Sequence, residues 1–423
     1  MRLSPGAAIR ELPLRREDET MRTHLPSWLT SVSLALILAH APGVARAQVR
    51  PGDEPRAPVP APNLADRKVV GYDRGFFLRD GDERFLLRVN ARVQARGEVL
   101  KSDLSAGGRP SLAFSIHRAR LKLSGHFFTP RLTFEFQPDF GRGFVTLRDF
   151  FAEWAFAPWL RLRVGQFKRP FSRQQVTSSG DLQLVDRALT DKAFLCERDI
   201  GFMLHNSYHK EARRFEWAVG VFNGAGDAPL FSATVETDPK TSKSSVKDGK
   251  FSTVPTKLYP ALVARAGYHT AGSNTYSESD LEGGGLRLGV AASLLAEFDY
   301  DENQKSRVAG ELDGMLKVHG FSLTGGAYVA SAQRGPSFSD QGFGAVGVHA
   351  QTGLLLAKRF EPVLRYGAVV WSGSGNDQQE FTVGFNLFVF KHGFKWQTDA
   401  SVLSELGGGR KDGRIRTQLQ AAF

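Results

Sequence analysis

The chain has 423 residues, 41% of them hydrophobic and 23% charged, with 44 Gly, 20 Pro and a single Cys. This composition excludes a collagen-like chain and bulk disorder, and one Cys excludes an intramolecular disulfide, a Cys-rich zinc module and an iron–sulfur ferredoxin. With 55 Lys and Arg against 44 Asp and Glu the formal charge is +11, which points to anionic partners: nucleic acid, acidic lipid or small anions.

Residues 1–47 read as an export signal, with Met21 as a better start than Met1. Arg22 supplies a positive end, Trp28 to Ala39 an apolar run, and Ala45-Arg46-Ala47 a small-x-small cleavage site. The apolar run is shorter than the ~20 residues of a spanning helix, which disfavours a membrane anchor. Residues 48–74, rich in Pro and Ala at their start, read as a periplasmic lead-in.

From 75 to 423 the pattern is that of strands with two unlike faces. In 85–99, Phe85, Leu87, Val89, Ala91, Val93 and Ala95 alternate with Arg88, Asn90, Arg92, Gln94 and Arg96. Sixteen such segments are predicted, at 84–100, 113–125, 131–138, 144–157, 160–168, 199–208, 214–223 and 259–270, then 285–298, 308–319, 321–332, 343–356, 359–372, 379–390, 394–404 and 413–423. Short connections (130, 157–159, 318–320, 391–393) alternate with long ones (169–198, 224–258), as turns and loops do in a membrane barrel. The connection 271–284 is too long for its side, so it is either an elaborated turn or a sign of misplaced boundaries.

A soluble β-sandwich also alternates. Several segments here exceed ten residues, however, and aromatics such as Trp154, Trp159, Trp371, Phe390 and Trp396 cluster at their ends. A basic residue facing lipid at the midplane costs roughly 2–4 kcal/mol. The face carrying Arg88, Arg92, Arg96, Arg118, Arg120 and Lys122 therefore looks into an aqueous lumen.

The runs GQFKRPFS (165–172) and SSGDLQLVDRAL (178–189), with RARLKLSG (118–125), LRDFFAEW (147–154), VFNG (221–224), FEPVLRY (360–366), EFTVGFNLFVFKHGFKWQ (380–397) and RIRTQLQAAF (414–423), resemble the phosphate-selective porin O and P family. The resemblance implies a sixteen-stranded outer-membrane barrel of a Gram-negative bacterium, trimeric, passing anions along a row of arginines. It also implies a third loop, here 169–198, folded inward to narrow the pore. That loop has no Lys between Lys168 and Lys192, so the family's central lysine has no match.

The expected anion pathway is Arg88, Arg92, Arg96, Arg118, Arg120, Lys122, Arg131, Arg161, Arg163, Lys395, Arg414 and Arg416. Lys168, Arg169, Arg173, Ser178, Ser179 and Arg187 are expected at the constriction. Guanidinium offers a planar fork of donors to phosphate oxygens, and alternate strand residues lie about 6.6–6.8 Å apart, a spacing an ion can cross. The competing role for these arginines is to neutralise lumen acids (Glu98, Glu135, Asp139, Asp149, Glu153, Asp313, Asp399) and pin the loop.

The reading is thus a passive channel for small anions, phosphate or polyphosphate, in contact with outer-membrane lipid. No nucleic acid partner, cofactor, metal or catalytic residue is expected. HExxH, a Walker loop, a Rossmann fingerprint and a nucleophile elbow are all missing from the sequence. The alternatives are a weakly selective general porin, and a barrel that merely anchors an outer-membrane enzyme or adhesin.

Overall fold

The computed structural model describes residues 69–423 apart from residues 195, 209–213, 225, 227–229, 239–242, 253–259, 271–275, 299–305, 333–342 and 373–376. The export segment 1–47 and most of the lead-in lie outside the described residues. A short hairpin of β1 (Val70–Tyr72) and β2 (Phe76–Arg79) comes first, starting inside the stretch read as lead-in. Then come β3 (Leu86–Lys101), β4 (Ser111–His126), β5 (Leu132–Asp139), β6 (Thr146–Ala157) and β7 (Leu160–Lys168). The third loop, with α1 (Arg173–Val176) and α2 (Leu189–Ala193), leads to β8 (Arg198–His205) and β9 (Phe215–Phe222). In the next long loop, β10 (Leu230–Asp238) and β11 (Lys243–Ser252) form a sheet of their own. The chain continues through β12 (Ala261–His269), β13 (Arg287–Glu297), β14 (Arg307–Val318), β15 (Phe321–Ala332) and β16 (Phe343–Leu354). It ends with β17 (Phe360–Trp371), β18 (Gln378–Phe390), β19 (Phe394–Glu405) and β20 (Lys411–Ala422).

Strands β3–β9 and β12–β20 form a closed antiparallel barrel of sixteen strands: β9 pairs with β12, and β20 returns to β3 with Ala422 opposite Arg92. Each expected segment is a barrel strand, with ends displaced by at most three residues. Beyond the end of β20, β2 takes over as the neighbour of β3, pairing with Leu86–Val89. The shared cause is side-chain alternation. Leu312 is 61% exposed on the barrel exterior while Glu311 and Asp313 beside it are buried inside, an inside-out arrangement suited to lipid.

The β3–β4 ladder carries a bulge at His117, the extra residue between Arg118 (opposite Gln94) and Ile116 (opposite Ala95). Its trace in the sequence is a change of parity, from Leu112, Phe114 and Ile116 to Ala119, Leu121 and Leu123.

The interior is not uniformly aqueous, which corrects the simple picture of a wet bore. Phe151, Phe167, Met203, Phe222 and Leu295 point inward from the wall and are buried with Phe171, Val176, Leu189 and Phe194 of the third loop. This apolar core seats the base of the loop. The connection after β12 is an elaborated turn: its described part, residues 276–286, returns into the barrel, where Tyr276, Glu278, Ser279 and Asp280 are buried.

Candidate functional site

The third loop crosses the lumen because the far wall offers it acceptors. Val185 N donates to Asp399 (3.0 Å), Leu189 N to Glu380 (3.0 Å), and Gln183 Nε2 to Glu361 (2.8 Å). Arg173 pairs with Asp313 at 2.8 Å and Arg169 with Glu297 at 2.8 Å. The inward turn meets the loop from the other side. Glu278 accepts from Gln183 N (2.8 Å), Gln174 Nε2 (3.2 Å) and Gln351 Nε2 (2.9 Å), and the Arg173 guanidinium lies 4.5 Å from the Tyr276 ring centroid. Much of the lumen's negative charge is thereby consumed in holding the loop.

The near wall, β3 and β4, is different. Arg92 on β3 faces Arg120 on β4 directly. Arg92 donates to Ser178 Oγ and Ser179 Oγ, both at 3.0 Å, and Arg120 to Ser179 Oγ at 3.2 Å and Asp139 at 2.7 Å. Gly180 makes this approach possible: a Cβ there would collide with the Arg92 guanidinium. Lys168 donates to the carbonyls of Val176 and Thr177 (3.1 and 2.9 Å), and Lys395 to that of Leu182 (2.8 Å). Arg92, Arg120, Lys168, Ser178, Ser179 and Gly180 border a cavity of about 1070 Å³, lined by eleven Lys or Arg and five Asp or Glu, that opens between the loop and the short-turn end.

The basic residues expected along the pathway form a mixed row, some paired with carboxylates and some not. Arg120 pairs with Asp139, Lys122 with Glu135 (2.8 Å), Arg161 (3.3 Å) and Arg163 (2.6 Å) with Glu153, and Arg416 with Asp399 (2.8 Å). Arg414 lies 3.4 Å from Glu380, Arg88 3.4 Å from Asp73, and Arg96, bonded to Gln418 and the Val185 carbonyl, 3.9 Å from Asp186. Among the described residues, Arg92, Arg118, Lys168 and Lys395 have no carboxylate within ion-pair distance; Arg118 donates to Gln94 at 2.8 Å. Arg131 stands apart, exposed at the turn before β5. In the loop, Arg187 donates to the carbonyls of Gln174 (2.7 Å) and Thr177 (3.0 Å).

Sequence reasoning missed Gly180, Lys317, which donates to the Ser277 carbonyl at 2.6 Å, and the inward turn with Glu278. Only the excess length of that turn could have signalled it. In the loop itself, burial raises the carboxyl pKa of Asp186, but Lys192, Arg118, Arg416 and Arg96 more than offset it and hold the group well below the usual carboxylate range. Burial pushes the Cys196 thiol up to about 11.

A closed sixteen-stranded barrel, apolar outside and polar inside, with a long loop folded into its lumen, is the architecture of an outer-membrane porin. The chain belongs to the phosphate-selective porin O and P family, whose model matches residues 88–306. An uncharacterized protein of Aquifex aeolicus (strain VF5) is 24% identical over 380 residues, covering 80% of this chain and 87% of its own length. Among solved structures, the anion-selective porin from Comamonas acidovorans superimposes with a TM-score of 0.54 at 10% identity, over 80% of this chain and 99% of its own. The outer membrane channel DcaP of Acinetobacter baumannii gives 0.53 at 11% identity, over 80% and 97%. The protein is a channel of the outer membrane.

Proposed function

We propose that the barrel passes small anions by diffusion, with phosphate or polyphosphate preferred, and that the basic residues of the near wall form the pathway. The observation that carries this reading is the Arg92–Arg120 pair. Two guanidinium groups and two hydroxyls converge on one face of a cavity rich in cations, and among the described residues the acceptors of Arg92 are neutral. An oxyanion arriving there accepts bonds from a planar fork, and its neighbours along the wall let it move on. The phosphate selectivity of the family supports this choice of ion, and the anion selectivity of the Comamonas porin supports the choice of charge.

A second reading, a weakly selective porin, is favoured by the neutralised pairs Lys122–Glu135, Arg163–Glu153 and Arg416–Asp399. Purified protein in planar bilayers separates the two. Anion preference in the reversal potential, with phosphate reducing chloride current at low concentration, supports the first. Lack of block up to high millimolar phosphate supports the second. Residues 1–47 serve in this reading as the cleaved export signal, 48–74 as a lead-in to the barrel. Assembly as a homotrimer fits the eight-residue strands β5, β8 and β9, shorter than the about 9–11 residues that span lipid, since a neighbouring subunit would cover that sector.

A further inference from the structure

We propose that Asp186 of the third loop is a built-in carboxylate ligand of the basic cluster formed by Arg96, Lys192 and Arg416, competing with passing anions and limiting how tightly the pathway holds them. The inference rests on the anion-channel reading above. One Asp186 oxygen lies 3.5 Å from Arg416 Nη1, 3.9 Å from Arg96 Nη1 and 3.9 Å from Lys192 Nζ. These cations belong to β20, β3 and α2, so they converge from three elements on one point. None is at the 2.7–2.9 Å of a charge-assisted hydrogen bond. The same Arg416 grips Asp399 with two bonds of 2.8 Å. One carboxylate is therefore locked to the wall, and the other sits loosely among cations.

The Asp186 side chain is 22% exposed, so water and small ions reach it. Its second oxygen accepts from Arg187 N at 3.1 Å, which ties it to the loop backbone. A cluster able to hold a carboxylate oxygen has the chemistry to hold an oxyanion, and a tethered competitor acts at high effective concentration. Conduction needs sites that release their ion. Asp186 supplies that release where the surrounding positive charge would otherwise retain the anion.

The test is phosphate block of chloride current in single channels of the full chain. Asp186→Asn keeps the acceptor for Arg187 N and removes the charge; Asp186→Ser is a second neutral variant, and Asp186→Glu keeps the charge. Losing a unit charge about 4 Å from the ion lowers the half-blocking phosphate concentration of the neutral variants about tenfold, while Asp186→Glu stays within about twofold of the wild type. Unchanged or weaker block in the neutral variants overturns the proposal. So does an equal shift in all three variants, which would report loop packing, or failure of both neutral variants to form channels, which would make Asp186 an anchor. A wild type without anion preference refutes the conduction reading instead, and is seen before any variant is made.

Discussion

Arg92 and Arg120 stand directly opposite each other on neighbouring strands, and both donate to one hydroxyl, Ser179 Oγ, at 3.0 and 3.2 Å. Like charges across a ladder are destabilising by themselves. Here they are tolerated because Asp139 neutralises Arg120 and the tip of the third loop supplies hydroxyls to Arg92. The two arginines therefore differ in function. Arg92→Ala should lower the anion-over-cation permeability ratio several-fold with little change in thermal unfolding, since no carboxylate loses a partner. Arg120→Ala should change selectivity less and stability more, by about 1–3 kcal/mol, because Asp139 loses its cation. Reversal potentials and melting in detergent check both.

Gly180 lies against the Arg92 guanidinium, with no room for a Cβ. Gly180→Ala should displace the Arg92 side chain and loosen its bonds to Ser178 and Ser179. The expected outcome is weaker phosphate block with an intact barrel, measured as a raised half-blocking concentration and unchanged heat stability.

Glu278 joins the inward turn to the third loop through three donors. Glu278→Ala leaves Gln183 N, Gln174 and Gln351 without that acceptor, at about 1–3 kcal/mol for each donor left unsatisfied. Single channels of this variant should show larger open-state noise and higher conductance, as the turn no longer braces the loop.

Leu312 tests the lipid-facing wall. It lies near the middle of β14, 61% exposed, between the inward carboxylates Glu311 and Asp313. Leu312→Arg should destabilise the barrel by about 2–4 kcal/mol, and Leu312→Phe should be nearly neutral. Equilibrium unfolding from lipid vesicles reads the difference.

Cys196 sits at the base of the third loop, buried against the apolar core. With its thiol pushed up to about 11 by burial, the thiolate fraction at pH 8 is on the order of one in a thousand. Native protein should therefore resist thiol-specific labelling at pH 8, and heating in detergent should restore ordinary reactivity. Fast labelling of the native barrel would show that the loop opens.

Much of this fold was legible in the residues. The alternation Arg414-Ile415-Arg416-Thr417 placed the last strand and its inner face, and the structure closes that strand on β3. The parity switch around His117 marks the bulge, but a parity change alone does not tell a bulge from a strand end. The site was harder to see. Asp139 and Arg120 are nineteen positions apart and paired across β4 and β5 only after the register was set. Gln183 and Glu361 are separated by 178 positions and meet only because the loop crosses the bore.

The sequence by itself determined the barrel, its number of strands and which side chains face inward, because alternation is local and each face must match its own solvent. Only the tertiary structure decided which of the inward cations are paired with a carboxylate. That outcome depends on strand register and on a loop whose amides and arginines occupy the carboxylates of the far wall. Charge neutralisation acts through space over a few ångströms, and distance along the chain carries no record of it.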